Sequence, residues 1–179
     1  EEYGTRIKVR VGELEGYVAK KYIYETEEDG EWYLLSTSTT KAGANTNRDI
    51  NINIASSYIN GKILQPNEKF SFWDTVGKCT YDKGYKDATV YSNGKKTKGI
   101  GGGVCQVSTT VNMAVKSAGI KTNARQHSLP VSYASREDEA TVSFGNIDFK
   151  FTNTTGKTIM LVMGAVDGSC TCEVWAKYE

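Results

Sequence analysis

With 179 residues and a net charge of +1 from 22 basic and 21 acidic side chains, the chain lacks the basic surplus of a nucleic-acid footprint. Its 39% hydrophobic and 11% aromatic content excludes a disordered chain, and no window approaches the roughly 18 apolar residues of a membrane span. A small substrate or a polyanionic wall stays compatible with this balance. The chain begins EEYGTRIKV without a visible signal peptide, which does not imply a cytoplasmic protein, since it can be a mature or excised piece.

Residues 5–23, TRIKVRVGELEGYVAKKYI, alternate, turn and restart. Ile7, Val9 and Val11 share one face, Gly12 to Gly16 form a turn, and Tyr17 and Val18 open a second strand. This resembles the closing strands of a bacterial Src-homology-three-like domain; a plain hairpin is the alternative. Residues 24–35 read as a linker, opening on the acidic YETEEDGE. The run STSTTKAGANTN at 36–47 has no periodicity and reads as an exposed loop.

DININIASSYING at 49–61 fits both a strand and a helix. Helix is chosen, with Asn47 as N-cap and Asn60-Gly61 as the stop. A turn at Pro66-Asn67 precedes a short strand over 69–73. Asn93-Gly94 suits a type I′ turn between 88–92 and 95–98, a hairpin that runs directly into GIGGGVCQ. From Gln106 onward Val107, Val111, Ala114, Val115 and Ala118 mark a helix stripe that Gly119 closes. RQHSLPVSYA at 125–134 reads as a loop becoming a strand, and ATVSFGNIDFKFTN at 140–153 as a strand pair or bent strand. KTIMLVMGAV and SCTCEVWAKY close the chain as a hairpin around Asp167-Gly168. The expected class is α+β: mostly antiparallel strands and hairpins with two main helices and no internal repeat.

Four cysteines, at 79, 105, 170 and 172, permit disulfides without demanding them. Cys170 and Cys172 share a strand face with Val174 and Ala176 and read as small core residues. A zinc site on Cys79, Cys170 and Cys172 would need more ligands than a chain with one histidine offers, so no metal or cofactor is expected.

Chemistry concentrates in GIGGGVCQVSTT at 99–110. A cysteine at a helix start meets the positive end of the macrodipole, which lowers its pKa. The glycines admit unusual backbone angles and leave space above the thiol. Groups around Gly102, Gly103, Val104 and Gln106 can hold an oxyanion. His127, the sole histidine, 22 residues after Cys105, is the natural dyad candidate, as base for the thiol and acid for a leaving amine, with a structural histidine as the alternative. Asp148, Ser128 and Tyr133 are open as the group that orients its ring, and Ser128 also as a substrate contact. Arg125 and Lys98 flank the motifs as carboxylate binders, with a solvated surface charge as the alternative for each. No Lys-Ser or Lys-Thr follows the glycines, which excludes a P-loop, and no clear βαβ unit surrounds them.

Four blocks, NGKILQPNEKFSFWDTVG at 60–77, GIGGGVCQVSTT at 99–110, HSLPVSY at 127–133 and ATVSFGNIDFKFTN at 140–153, together resemble the VanW domain. The resemblance covers about residues 36–155. It implies a VanW catalytic domain at 36–179 including the closing hairpin, after a wall-binding remnant at 1–23 and a linker at 24–35. It also implies a location outside the cytoplasm, at the cell wall or surface of a Gram-positive bacterium. Some VanW-domain proteins act as peptidoglycan L,D-transpeptidases, and Cys105 matches their nucleophile and His127 its partner. The implied partners are peptidoglycan stem peptides, met by a monomer and without nucleic acid. A non-catalytic wall-binding module and a cysteine carboxypeptidase or amidase that only hydrolyses are the alternatives. VNMAV stands where many VanW segments read YNAAL, and SREDEA at 135–140 replaces a commoner Pro-Gly turn, differences that touch loop shape and substrate fit.

Overall fold

The computed structural model describes residues 2–3, 6–11, 14–19 and 32–178 except 44 and 93; for the three N-terminal segments and Ser92 it describes the backbone alone. The chain divides into two units, 1–30 and 31–179, each taken by itself. In the first, β1 (Glu2–Tyr3), β2 (Arg6–Val11) and β3 (Leu14–Ala19) pair antiparallel in that order. The β2–β3 hairpin is common to the Src-homology-three-like reading and to the plain hairpin. The expected linker lies outside the described residues over 24–31, and its last four residues, 32–35, are strand instead.

The second unit is built on an antiparallel sheet in the order β4 (Trp32–Lys41), β11 (Ser169–Lys177), β10 (Ile159–Val166), β5 (Lys62–Leu64). Helix α1 (Thr46–Ile59) packs on β10, and helix α3 (Val104–Ser117) on β4 and β11. Along β11, Cys170, Cys172, Val174 and Ala176 are fully buried, and Ile159, Leu161 and Met163 of β10 join the same core. This period-two burial is what a sheet covered by helices requires. All four cysteines are free thiols, the two in β11 serving as small core residues. Asp167 (φ 46°) and Gly168 (φ 74°) turn the closing hairpin, as a type I′ turn demands.

Strand β4 corrects the reading of the Ser/Thr run as a loop. Its inward hydroxyls are taken by α3: Ser36 Oγ donates to the Ala114 carbonyl at 2.7 Å, and the Thr40 and Thr110 hydroxyls bond at 2.7 Å. Outward, Thr39 and Thr171 bond at 2.8 Å across the register. A strand whose inward side chains are hydroxyls carries no hydrophobic alternation, so its period is invisible to a pattern search. Buried hydroxyls are tolerated because each finds a partner.

The ambiguous 49–61 segment is helical, but α1 starts earlier than expected, with Asn45 rather than Asn47 as N-cap; its Oδ1 accepts from the Arg48 N–H at 3.1 Å. After β6 (Lys69–Ser71) the expected strand gives way to a short helix α2 (Phe72–Val76), and β6 pairs with β9 (Lys150–Thr152). β7 (Asp87–Ser92) and β8 (Lys95–Ile100) form the expected hairpin, with residue 93 outside the described set. The segment 125–134 forms no strand. Within 140–153 only β9 and a bridge between Ser143 and Ile147 are paired. The class is therefore α+β, with three α-helices among the described residues. Among the described residues no helix is long and apolar enough to cross a membrane.

Candidate active site

β8 delivers Gly101, Gly102 and Gly103 to the start of α3, where Gly103 (φ 113°) is the N-cap. The three glycines line the cleft with Cys105, and the positions a Cβ would take on them are filled by the chain's own neighbours. A Cβ on Gly102 would stand 2.5 Å from the Thr89 carbonyl oxygen, and one on Gly103 would stand 2.9 Å from Arg48 Cγ. Missing side chains let α3 begin against β7 and α1. Asn51, fully buried on α1, locks this corner: its Nδ2 donates to the carbonyls of Lys86 and Gly102 at 2.9 Å, and its Oδ1 accepts from the Lys86 N–H at 2.8 Å.

Gln106 is also fully buried, and its amide is spent within the fold. Nε2 donates to the carbonyls of Thr40 at 3.3 Å and Gly168 at 3.1 Å, and Oε1 accepts from Arg48 Nη2 at 2.6 Å. That removes its side chain as an oxyanion donor. The Val104 and Gln106 N–H groups go to the carbonyls of Gly101 (3.2 Å) and Gly103 (2.9 Å). Between them the Cys105 N–H has no backbone acceptor among the described residues.

Cys105 is the second residue of α3, half-buried, and lines a cleft of about 950 Å³. Its Sγ–H donates to the Val142 carbonyl at 3.4 Å, with Thr141 Oγ1 at 3.9 Å. Burial pushes the thiol above its ordinary pKa, and the Thr141 hydroxyl and the Arg48 charge pull the other way without overcoming it. This is opposite to the lowering expected at a helix N-terminus, and desolvation of the thiolate is its largest cause. The resting thiol is protonated.

His127 lines the same cleft and is 3% exposed. Its Nδ1 lies 3.1 Å from Glu139 Oε2, and its Nε2 is buried without a hydrogen-bond partner. Burial pulls the imidazole below its ordinary pKa, outweighing the upward pull of Glu139, so the ring is neutral near pH 7. Glu139 is itself buried. Burial would raise its pKa, but hydrogen bonds from the His127 N–H (2.7 Å), from Nδ1, from the Val131 N–H (3.4 Å) and from Arg136 Nη1 (2.8 Å) outweigh this and hold it below the usual range. An ionised carboxylate only accepts, so Nδ1 is assigned the proton and Nε2 keeps its lone pair. The rings of Tyr91 and Tyr133 pack edge-on against the imidazole, with centroids 6.0 and 6.4 Å away.

Glu139 is absent from the orienting residues legible in the sequence. Asp148, which is among them, sits elsewhere: it accepts from Ser71 Oγ at 2.7 Å and the Trp73 N–H at 3.1 Å, fastening the start of α2. Ser128 is exposed and lines the cleft, and Tyr133 touches the ring without a hydrogen bond to it. Arg125 and Lys98 are exposed and outside the cleft lining; Arg125 offers its carbonyl to the Thr141 N–H at 2.8 Å. α3 places Glu139 through successive turns of polar side chains. Ser108 Oγ donates to the Ala140 carbonyl at 2.6 Å and Thr109 Oγ1 accepts from its N–H at 3.1 Å. Asn112 Nδ2 donates to the Asp138 carbonyl at 2.8 Å, and Lys116 pairs with the Asp138 carboxylate at 2.7 Å. The run of buried polar residues Ser108, Thr109 and Asn112 in α3 is the signal that could have pointed to this clamp.

Residues 47–175, a span that contains every cleft residue named above, match the family described as VanW like protein. The chain belongs to the VanW-like family. It is 39% identical over 145 residues to the uncharacterized protein YoaR of Bacillus subtilis, covering 80% of this chain and 46% of that protein. It is 30% identical over 142 residues to the vancomycin B-type resistance protein VanW of Enterococcus faecalis, covering 74% of this chain and 46% of that protein. The chain thus spans about half the length of these VanW-like relatives. No solved structure matches it. The VanW match continues past the four sequence blocks, through the closing hairpin as far as Trp175. Among the described residues of this VanW-like fold, no group of three or more His, Cys, Asp or Glu side chains is placed to hold a metal ion. Cys79 lines the cleft, whereas Cys170 and Cys172 lie in the sheet core.

Proposed function

We propose that this VanW-like domain is a cysteine acyltransferase, a peptidoglycan L,D-transpeptidase, with Cys105 as nucleophile, His127 as base and acid, and Glu139 as the residue that orients His127. One observation carries the reading. A half-buried thiol and a neutral imidazole with an unpartnered Nε2 line one cleft, and an ionised carboxylate backs the imidazole. The similarity to a protein named for vancomycin resistance supports a cell-wall substrate and a location outside the cytoplasm. The catalytic domain would comprise the second unit, residues 31–179, with the whole of β4, act as a monomer, and follow a wall-binding remnant at 1–23.

In this mechanism Cys105 Sγ turns from the Val142 carbonyl and passes its proton to His127 Nε2. Its sulfur then attacks the carbonyl carbon of the amide between the third and fourth residues of a donor stem. Because a buried thiolate is costly, its charge arises opposite the imidazolium that Glu139 stabilises. The Cys105 N–H serves the oxyanion, a type of contact typically worth about 3–4 kcal/mol in the transition state. The C–N bond breaks, Nε2 returns its proton to the departing amine, and a thioester remains. The side-chain amine of an acceptor stem attacks the thioester and gives its proton to Nε2. The C–S bond breaks, and the sulfur recovers a proton as thiol. Water in place of the amine makes the same site a carboxypeptidase.

The test is intact-protein mass spectrometry after mixing with disaccharide-tetrapeptide, beside a Cys105→Ala sample, with soluble products analysed. A Cys105-dependent adduct together with cross-linked dimers is the expected result. An adduct or trimming without dimers identifies the hydrolase instead. A protein with neither adduct nor product is a binding module, and the proposal falls.

A further inference from the structure

Among the described residues the cleft is lined by three cations, Arg48, Lys78 and Lys96, and by no aspartate or glutamate. Lys96 lies over the Tyr91 ring, 5.9 Å from its centroid. Arg48 stands at the chemistry. Its stem passes Gly103, whose missing Cβ makes room for it, and its Nη2 donates to Gln106 Oε1 at 2.6 Å. Arg48 and Cys105 line the same cleft, and the Arg48 charge pulls the thiol pKa down against the larger effect of burial. The Tyr133 ring lies against the guanidinium, 5.5 Å from centroid to Cζ.

Yet Arg48 has no carboxylate partner among the described residues. Its side chain makes one hydrogen bond, to a neutral amide, and its Nε is buried with no partner at all. Burying a polar donor without a partner is costly, and an unpaired half-buried charge adds to that cost. The fold holds this guanidinium in place with Tyr133, Gln106 and the glycine corner while leaving its charge unanswered. A planar, five-donor fork is also the group best matched to a carboxylate.

We propose that Arg48 binds the free carboxylate of the donor peptide's terminal D-amino acid and so seats the scissile amide at Cys105. This rests on the acyl-transfer reading above, because that reading places a terminal carboxylate one residue beyond the attacked carbonyl. Arg48 takes the part that the sequence offered to Arg125 and Lys98. Donor choice then depends on a negative charge at the peptide end as well as on the amide itself.

The test is calorimetric titration of the Cys105→Ala protein with a synthetic stem tetrapeptide ending in a free carboxylate and with the same peptide ending in an amide. The acid binds about tenfold or more tightly than the amide, the scale of a charge-assisted fork in place of a neutral contact. Arg48→Gln in the same background removes the preference, Arg48→Lys keeps part of it, and Lys98→Gln keeps all of it. Thermal melting checks the fold of Arg48→Gln. Should that variant not fold, the Arg48→Lys protein decides: a reduced preference supports the site and an unchanged one overturns it. Equal binding of acid and amide, including no detectable binding of either, overturns the proposal, as does a preference that survives Arg48→Gln. Mass spectrometry of the wild-type protein separates the two readings. A carboxylate preference without a Cys105 adduct removes acyl transfer and leaves the anion site standing. An adduct formed equally well from acid and amide does the reverse.

Discussion

Glu139 Oε2 accepts from His127 twice, from the ring Nδ1 at 3.1 Å and from the backbone N–H at 2.7 Å. One buried oxygen therefore holds both the main chain and the ring of the chain's single histidine. Arg136 closes the arrangement on the outer side, donating to both carboxylate oxygens and to the His127 carbonyl. Turning the ring over would give up the Nδ1 bond to Glu139, so Nε2 stays as the acceptor of the ring.

Glu139→Gln keeps the shape of this contact but allows the amide to select the wrong imidazole tautomer. In steady-state kinetics kcat falls by at least about 100-fold with KM little changed, the pattern for a triad carboxylate replaced by its amide. Asp148→Asn behaves differently: it loosens the N-terminus of α2, lowers the melting temperature and leaves the pH profile of kcat in place.

Acid should destabilise the protein in two stages. His127 has a folded pKa below its ordinary 6.5, so the unfolded chain takes up a proton first, and stability declines as pH falls through 6.5. Glu139 has a folded pKa below its ordinary 4.5; the stability it contributes is present above 4.5 and is lost as pH falls through the folded value. Urea midpoints measured from about pH 8 down to about pH 2 show both declines. His127→Asn flattens the upper one, and Glu139→Gln flattens the lower.

Thiol alkylation should be slow at pH 7 in the native protein. Burial raises the pKa of all four cysteines, so none is a resting thiolate. Iodoacetamide followed by mass spectrometry finds Cys105 labelled at a rate that climbs with pH, while Cys170 and Cys172 react only after unfolding. Rapid labelling of Cys105 below pH 7 would restore the helix-dipole expectation.

Gly102→Ala tests whether the glycines serve packing or open space. The added methyl meets the Thr89 carbonyl oxygen at 2.5 Å and the Ala88 carbonyl carbon at 2.7 Å, both of them backbone atoms that cannot swing aside. Denaturant unfolding shows a loss of about 2 kcal/mol or more, in the range of overpacked sites. A neutral substitution would show that the corner yields.

Much of the fold is local and so legible in the chain. The alternation of Cys170, Cys172, Val174 and Ala176 marks a half-covered strand, Asp167-Gly168 marks the hairpin turn, and the apolar stripe from Val107 marks a helix; all three need only neighbours a few residues away. The glycine run before Cys105 and the single histidine likewise stand out by type and position, and both line the cleft that carries the candidate site. The rest depends on which distant groups meet. Ser36 and Thr40 become strand residues only because α3 accepts their hydroxyls, and a hydroxyl carries no period that announces its partner. Glu137, Asp138 and Glu139 are equivalent in the chain, and only the clamp of Ser108, Thr109 and Asn112 on residues 138–140 turns the third of them toward His127. Even the sign of the Cys105 shift is tertiary. The helix start at Cys105 can be read from sequence, whereas the desolvation that raises the thiol pKa exists only once α3, Thr141 and Val142 close around the sulfur.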